Sequence, residues 1–193
     1  MNEAQAKDYL VAAYRAEVEF RHRKFVLDAH TSDNIGQLAR FLTDGGSRFG
    51  VMFFGLCGNG KTTLVYALQN AINYLERIGA VPSKTGITII DAKEVVRRSK
   101  DDNEFRRMLD SDMIAIEDMG REPRDVLEYG NVLNPVIDLL EYRYNRQLFT
   151  IVTTNLKPQQ VREHYGDRIA DRCNEMFDRI VFQNESYRRV TSY

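Results

Sequence analysis

Long apolar runs are missing from this sequence: no stretch approaches about 18 uninterrupted apolar residues, so a membrane-crossing helix is not expected. The first residues, Met1-Asn2-Glu3-Ala4-Gln5-Ala6-Lys7-Asp8, carry charge where a secretory signal needs an apolar core, and a cytoplasmic protein is expected. Cysteine is scarce. Cys57 and Cys173 lie far apart, which excludes a disulfide framework and fits free thiols in a reducing compartment. Neither sign of charge dominates, with 27 Lys and Arg against 28 Asp and Glu, so any nucleic-acid binding must be local. Internal repeats and low-complexity tracts are also absent.

What remains is a chain of 193 residues, enough for one compact domain with a short appendage. A domain of about 150 residues already hides roughly 70% of its unfolded surface. Residues 3–28 favour helix, with Tyr9, Leu10, Ala13, Tyr14 and Val18 at helical spacings before the basic cluster Arg21-His22-Arg23-Lys24. Thr31-Ser32-Asp33-Asn34 offers N-caps for a helix through Ile35, Leu38, Ala39 and Leu42, which Gly45-Gly46 ends. The boundary between an amino-terminal helical arm, 1–28, and the main domain, 29–193, is placed here.

The period then changes. Val51-Met52-Phe53-Phe54 is a short apolar run of the kind buried on both faces of a parallel sheet. Ile87 to Ile90, Met113 to Ile116, Leu148 to Val152 and Arg179 to Phe182 repeat it, with helical patterns between, such as Leu64 to Ile78 and Val132 to Tyr144. Strand and helix in alternation predict an α/β fold, a parallel sheet with helices on both faces and ligands beyond the carboxyl ends of the strands.

Directly after the first strand stands Gly55-Leu56-Cys57-Gly58-Asn59-Gly60-Lys61-Thr62, the G-x-x-x-x-G-K-T phosphate loop. Gly55, Gly58 and Gly60 let successive N–H groups face an anion, and the following helix adds its positive end. Lys61 is expected to reach the β- and γ-phosphates and Thr62 to ligate Mg²⁺, while Thr63 caps or packs. Cys57 and Asn59 complete the nucleotide-binding set. ATP and Mg²⁺ are the expected ligands.

Hydrolysis also needs an acid for the metal and a group to orient water. Asp112-Met113-Ile114-Ala115-Ile116-Glu117-Asp118 brings two carboxylates to a strand's carboxyl end, Glu117 for magnesium and Asp118 as base. The Glu-Asp order departs from the commoner Asp-Glu or Asp-Asp. Asn155, after Thr153-Thr154, is placed to hold a water or sense the γ-phosphate, or to cap the helix after Lys157-Pro158. Arg168 and Arg172 share a helical face. Their spacing fits pairing with Asp167, Asp171 and Glu175, or a guanidinium that completes a neighbour's ATP site.

Together these segments resemble the AAA+ ATPases, and within them the DnaC-type bacterial helicase loaders and the related IstB-like transposition helpers. The likeness spans roughly residues 30–190. Its narrower marks are Ile116-Glu117-Asp118-Met119-Gly120, Thr153-Thr154-Asn155, the stretch 166–172 and Asn184-Glu185-Ser186-Tyr187-Arg188-Arg189. The resemblance implies a three-layer P-loop domain with a five-stranded parallel sheet in the order 5-1-4-3-2, ending without a full helical lid. It also implies Asn155 as the sensor, Arg172 as the arginine finger and Arg168 as a second candidate. A basic insertion after the second strand, Arg97-Arg98 to Arg106-Arg107, stands where loaders touch single-stranded DNA, although Asp101, Asp102, Glu104 and Asp110 dilute it.

The function this implies is an assembling ATPase that loads or remodels a replicative helicase on single-stranded DNA. The alternatives are a transposition helper on duplex DNA, an ATP-binding scaffold, or a small-molecule kinase, for whose lid Arg121 and Arg124 are the nearby arginines.

Overall fold

The computed structural model describes residues 1–46, 48–83, 85–123, 126–128 and 131–187, with backbone only for 126–128 and 131–133. Arg124, Arg188 and Arg189 lie outside the residues so described. The elements run α1 (Glu3–Phe20), α2 (Ala29–Thr43), β1 (Gly50–Gly55), α3 (Lys61–Arg77), β2 (Thr88–Asp91), α4 (Ala92–Arg98), α5 (Asp102–Leu109) and β3 (Met113–Met119). They continue with β4 (Val126–Glu128), β5 (Asn131–Leu133), α6 (Pro135–Arg146), β6 (Phe149–Thr154), α7 (Pro158–Tyr165), α8 (Asp167–Met176) and β7 (Phe177–Phe182).

Five strands form one parallel sheet, ordered β2-β3-β6-β1-β7. Counting only its own strands, the order is 2-3-4-1-5, the expected 5-1-4-3-2 read from the other edge. The antiparallel pair β4-β5 stands apart from the sheet.

The chain divides into two compact units. One comprises Arg48–Phe54 and Thr88–Arg179. Its core gathers Met52 and Phe54 of β1, Ile114 and Ile116 of β3 and Val152 of β6 with Val95, Val136, Leu139, Val161, Ile169 and Phe177. Residues i and i+2 share a strand face, which is how Met52 with Phe54, and Ile114 with Ile116, reach the same core. Each such side chain contributes about 1.5–3 kcal/mol by leaving water. At Gly50 β1 runs tight against its surroundings: a Cβ there would collide with the Thr150 carbonyl and the Phe177 ring.

Arg143 is the one fully buried charged side chain among the described residues. It donates to Thr150 Oγ1 at 2.8 Å and to the carbonyls of Ser111 and Phe149 at 2.7 Å and Leu109 at 3.2 Å. Burial pulls its guanidinium down to about 10, against the pull of Asp112, so it remains charged at neutral pH.

The other unit comprises Met1–Ser47, Gly55–Ile87 and Ile180–Tyr193. Here α1 packs on α2 and α3, burying Ala6, Leu10 and Tyr14 at four-residue intervals against the apolar stripes Ile35-Leu38-Ala39 and Leu64-Leu68-Ala71-Leu75. Asn2 and Gln5 form a capping box at the start of α1. The basic cluster falls just beyond the end of α1, where Arg21 donates to Glu17 at 2.7 Å and lies over the Tyr66 ring.

Two boundaries differ from expectation. α2 begins at Ala29, capped by Asp28, whose carboxylate accepts from Thr31 N at 2.7 Å; Thr31 and Asn34 are then buried inside the helix. α6 begins at Pro135 and not near Val132, because Asn134 caps it and proline suits the first turn. The stretch between β2 and β3 folds as two short helices, each capped by an aspartate, Asp91 and Asp101.

Candidate nucleotide site

β1 runs directly into the glycine loop. Gly58 and Gly60 sit at φ +84° and +103°, in the region that favours glycine, and Gly60 is the N-cap of α3. The N-cap residue is a glycine, which has no side chain to bond the N–H groups of the first turn. An uncapped 17-residue helix preceded by a glycine turn is a cradle for an anion.

Lys61 is almost wholly buried, and its ammonium lies across the loop, donating to the carbonyls of Gly55 at 2.7 Å and Leu56 at 2.8 Å and to Asn59 Oδ1 at 3.2 Å. Thr62 is half-buried, Thr63 bonds to the Tyr14 hydroxyl, and Cys57 is exposed. Asn59, expected as an ordinary loop position, is only 1% exposed, its Nδ2 donating to Phe182 O at 3.1 Å. Burial, with Tyr187 and Asp28 nearby, holds the Tyr14 hydroxyl above the ordinary phenol range.

In the other unit, β3 carries the two acids past its last regular pair with β6. Glu117 lies opposite Asp91 of β2, while on the β6 side the register slips between Ile116 and Met119. Asp118 occupies that slip at φ +55°, its N–H donating to Thr153 Oγ1 at 2.9 Å and its carboxylate paired with Arg121. A left-handed aspartate costs of order 1–2 kcal/mol, and such conformations cluster at functional sites. Both carboxylates are half-buried at the carboxyl end of a strand.

Asn155 follows β6 and is half-buried, while the cap of α7 falls two residues later, at Lys157. Arg168 and Arg172 project from α8, but their expected partners differ. Both reach Glu141 of α6, at 3.2 Å and 2.5 Å, whereas Asp167 and Asp171 are taken by Arg162 and Glu175 by Tyr144. Arg172 also lies 5.2 Å over the Tyr144 ring, with its side chain 20% exposed against 71% for Arg168. In the stretch between β2 and β3, Arg97 and Arg98 pair with Glu94.

Sequence reasoning missed the residues that surround the loop. Tyr14, Asp28, Asn184 and Tyr187 all bond within the unit that holds the loop; spacing marks Tyr14 only as a helix position, and the segment from Asn184 only carries the resemblance. Elsewhere Glu122 is buried, accepting from Tyr165 Oη and from Gly120 N at 2.8 Å.

No protein-family model and no curated protein matches the sequence. Solved structures do match. DnaI is 20% identical with a TM-score of 0.63, the match covering 83% of this chain and 88% of that one. The DnaC helicase loader is 21% identical with a TM-score of 0.64, covering 83% and 94%. AMPPCP-bound DnaA from Aquifex aeolicus is 16% identical with a TM-score of 0.57, covering 86% of this chain and 51% of that one. At these identities what is shared is the fold: an α/β domain with a five-stranded parallel sheet of the AAA+ type, as in DnaI, the DnaC helicase loader and DnaA.

Proposed function

We propose that this protein is an ATP-dependent helper of DNA replication, a slow, assembly-dependent ATPase that loads or remodels a replicative helicase on single-stranded DNA. The observation that carries it is the uncapped amino end of α3 joined to a loop with Gly58 and Gly60 at positive φ and Lys61 folded across it. Such a loop fits a triphosphate. Lys61 would turn from the loop carbonyls to the β- and γ-phosphates, with the N–H groups of the loop and first turn providing the rest of the cradle.

Thr62 and Glu117 would hold magnesium together with the phosphates, whose charge the ion neutralises when bound. Among the described residues no group of three His, Cys, Asp or Glu is placed to hold a metal. Asp118 would orient the attacking water and Asn155 sense the γ-phosphate. Arg172, or the more exposed Arg168, would reach a neighbouring subunit's ATP, having first left Glu141. Residues 29–193 would form the ATP-binding domain of a cytoplasmic protein, with 1–28 as its amino-terminal segment; among the described residues no helix is long and apolar enough to cross a membrane. The proposed partners are the helicase and single-stranded DNA, known for relatives from DnaC itself and from DnaA bound to AMPPCP and single-stranded DNA.

ATP turnover tests this across protein concentrations, with and without single-stranded DNA. Expected are rising specific activity with both, a loss of about 10³-fold or more in Arg172→Ala, and recovery on mixing Lys61→Ala with Arg172→Ala. Turnover that ignores concentration and DNA, with Arg172→Ala and Arg168→Ala both silent, would leave a monomeric kinase or scaffold as the better reading.

A further inference from the structure

The glycine loop is tied down by the segment that follows β7. Tyr187 N–H donates to Gly58 O at 3.0 Å, and Asn184 Nδ2 donates to Asn59 O at 3.0 Å. In a planar trans peptide the carbonyl and the next N–H point in opposite directions. Fixing the Gly58 and Asn59 carbonyls toward residues 184–187 therefore aims the Asn59 and Gly60 N–H groups the other way. Those are the donors that an anion on this loop needs.

Asn184 is used for its donor. Nδ2 bonds to Asn59 O and, at 3.2 Å, to Glu185 O, while Oδ1 is buried with no hydrogen-bond partner among the described residues. Tyr187 is anchored in turn on α2. Its hydroxyl donates to Asp28 Oδ2 at 2.6 Å and lies 2.8 Å from Thr31 Oγ1, and Asp28 is already fixed as the cap of that helix. From α1, the Tyr14 hydroxyl bonds Thr63 and stands where a Cβ on Gly60 would otherwise go, so the turn into α3 is closed on that side as well.

We propose that Asn184 and Tyr187, the latter anchored by Asp28 and Thr31, are positioning residues that set the phosphate-facing N–H groups of the loop. Nucleotide binding and the docking of residues 184–187 on the loop and α2 then stabilise each other, a coupling that is necessarily reciprocal. This rests on the phosphate-loop reading above. Neither side chain touches the phosphates; both act through the loop's carbonyls.

The test is calorimetric titration of ATP·Mg and ADP·Mg into the full chain as wild type, Asn184→Asp, Tyr187→Phe and Lys61→Ala. Amide hydrogen exchange is followed at Tyr187 with and without ATP·Mg. Asn184→Asp keeps the shape but sets an acceptor against Asn59 O, and is expected to weaken both nucleotides about tenfold or more. Tyr187→Phe keeps the backbone donor and loses the anchor, for an expected three- to tenfold loss, roughly one hydrogen bond. In the wild type ATP·Mg should slow exchange at the Tyr187 amide by about fivefold or more, and in Lys61→Ala it should not. Tight binding by the wild type, with both tail variants within about twofold of it and Tyr187 exchange indifferent to nucleotide, overturns the proposal and leaves the phosphate loop standing. Failure of the wild type to bind ATP·Mg sinks the phosphate-loop reading and the positioning role with it. Should Asn184→Asp not fold, the exchange measurement on the wild type decides alone.

Discussion

Cys57 and Cys173 sit in opposite environments. Cys57 is exposed on the glycine loop, while Cys173 is buried on the inner face of α8, where burial, opposed by Arg179, pushes its thiol up to about 12. Only the thiolate alkylates at a useful rate, so at pH 8 Cys173 holds about one part in 10⁴ of its reactive form even before access is considered. Iodoacetamide should therefore modify Cys57 at least about 10²-fold faster than Cys173, and Cys173 should catch up only on unfolding, as peptide mass mapping over time would show. ATP·Mg should slow the Cys57 reaction, and equal rates for the two thiols would contradict the burial of α8's inner face. Sequence spacing was sufficient to place Cys57 in the loop and Glu117-Asp118 at a strand end. It did not show Asp118 in a left-handed conformation, because that follows from the slip between β3 and β6, a pairing between segments some 35 residues apart.

Arg143 shows how one side chain can fix several elements. From α6 it reaches the start of β6 and the turn between α5 and β3, filling carbonyls that the ends of those elements leave over. Arg143→Met would keep most of the volume and strand these acceptors, for an expected loss of about 3–5 kcal/mol in urea unfolding. Asn134→Ala, which removes only the cap of α6, is expected to cost about 1 kcal/mol. Comparable losses in the two variants would show that the carbonyls find other donors when the guanidinium is gone. The strands were legible because runs such as Val51 to Phe54 and Met113 to Ile116 are apolar and bounded by turns. Arg143 was not, since on the page it is one more arginine on an amphipathic helix. The start of α2 was hidden similarly: four adjacent residues could each cap, and Asp28, before them, is the one that does.

The chain passes between its two compact units four times, and both β1 and β7 are divided between them, so neither unit is a continuous segment. A unit assembled from three separated stretches is not expected to unfold without the other, and one cooperative thermal transition is expected by calorimetry. The α/β class was legible in the alternation of strands and helices, while the strand order came only with the resemblance to the AAA+ ATPases. The division itself was not, because nothing local in Ile180 or Gly55 marks where packing changes hands. If the loop binds ATP·Mg, ligand linkage raises the stability of the whole transition, by about 2.7 kcal/mol at a hundred times the dissociation constant. For a chain of this length that corresponds to an upward shift of roughly 5–11 °C. Lys61→Ala should show the same transition without the shift. Two resolved transitions, of which nucleotide moves only one, would mean that binding at the loop stabilises a part of the chain that folds by itself.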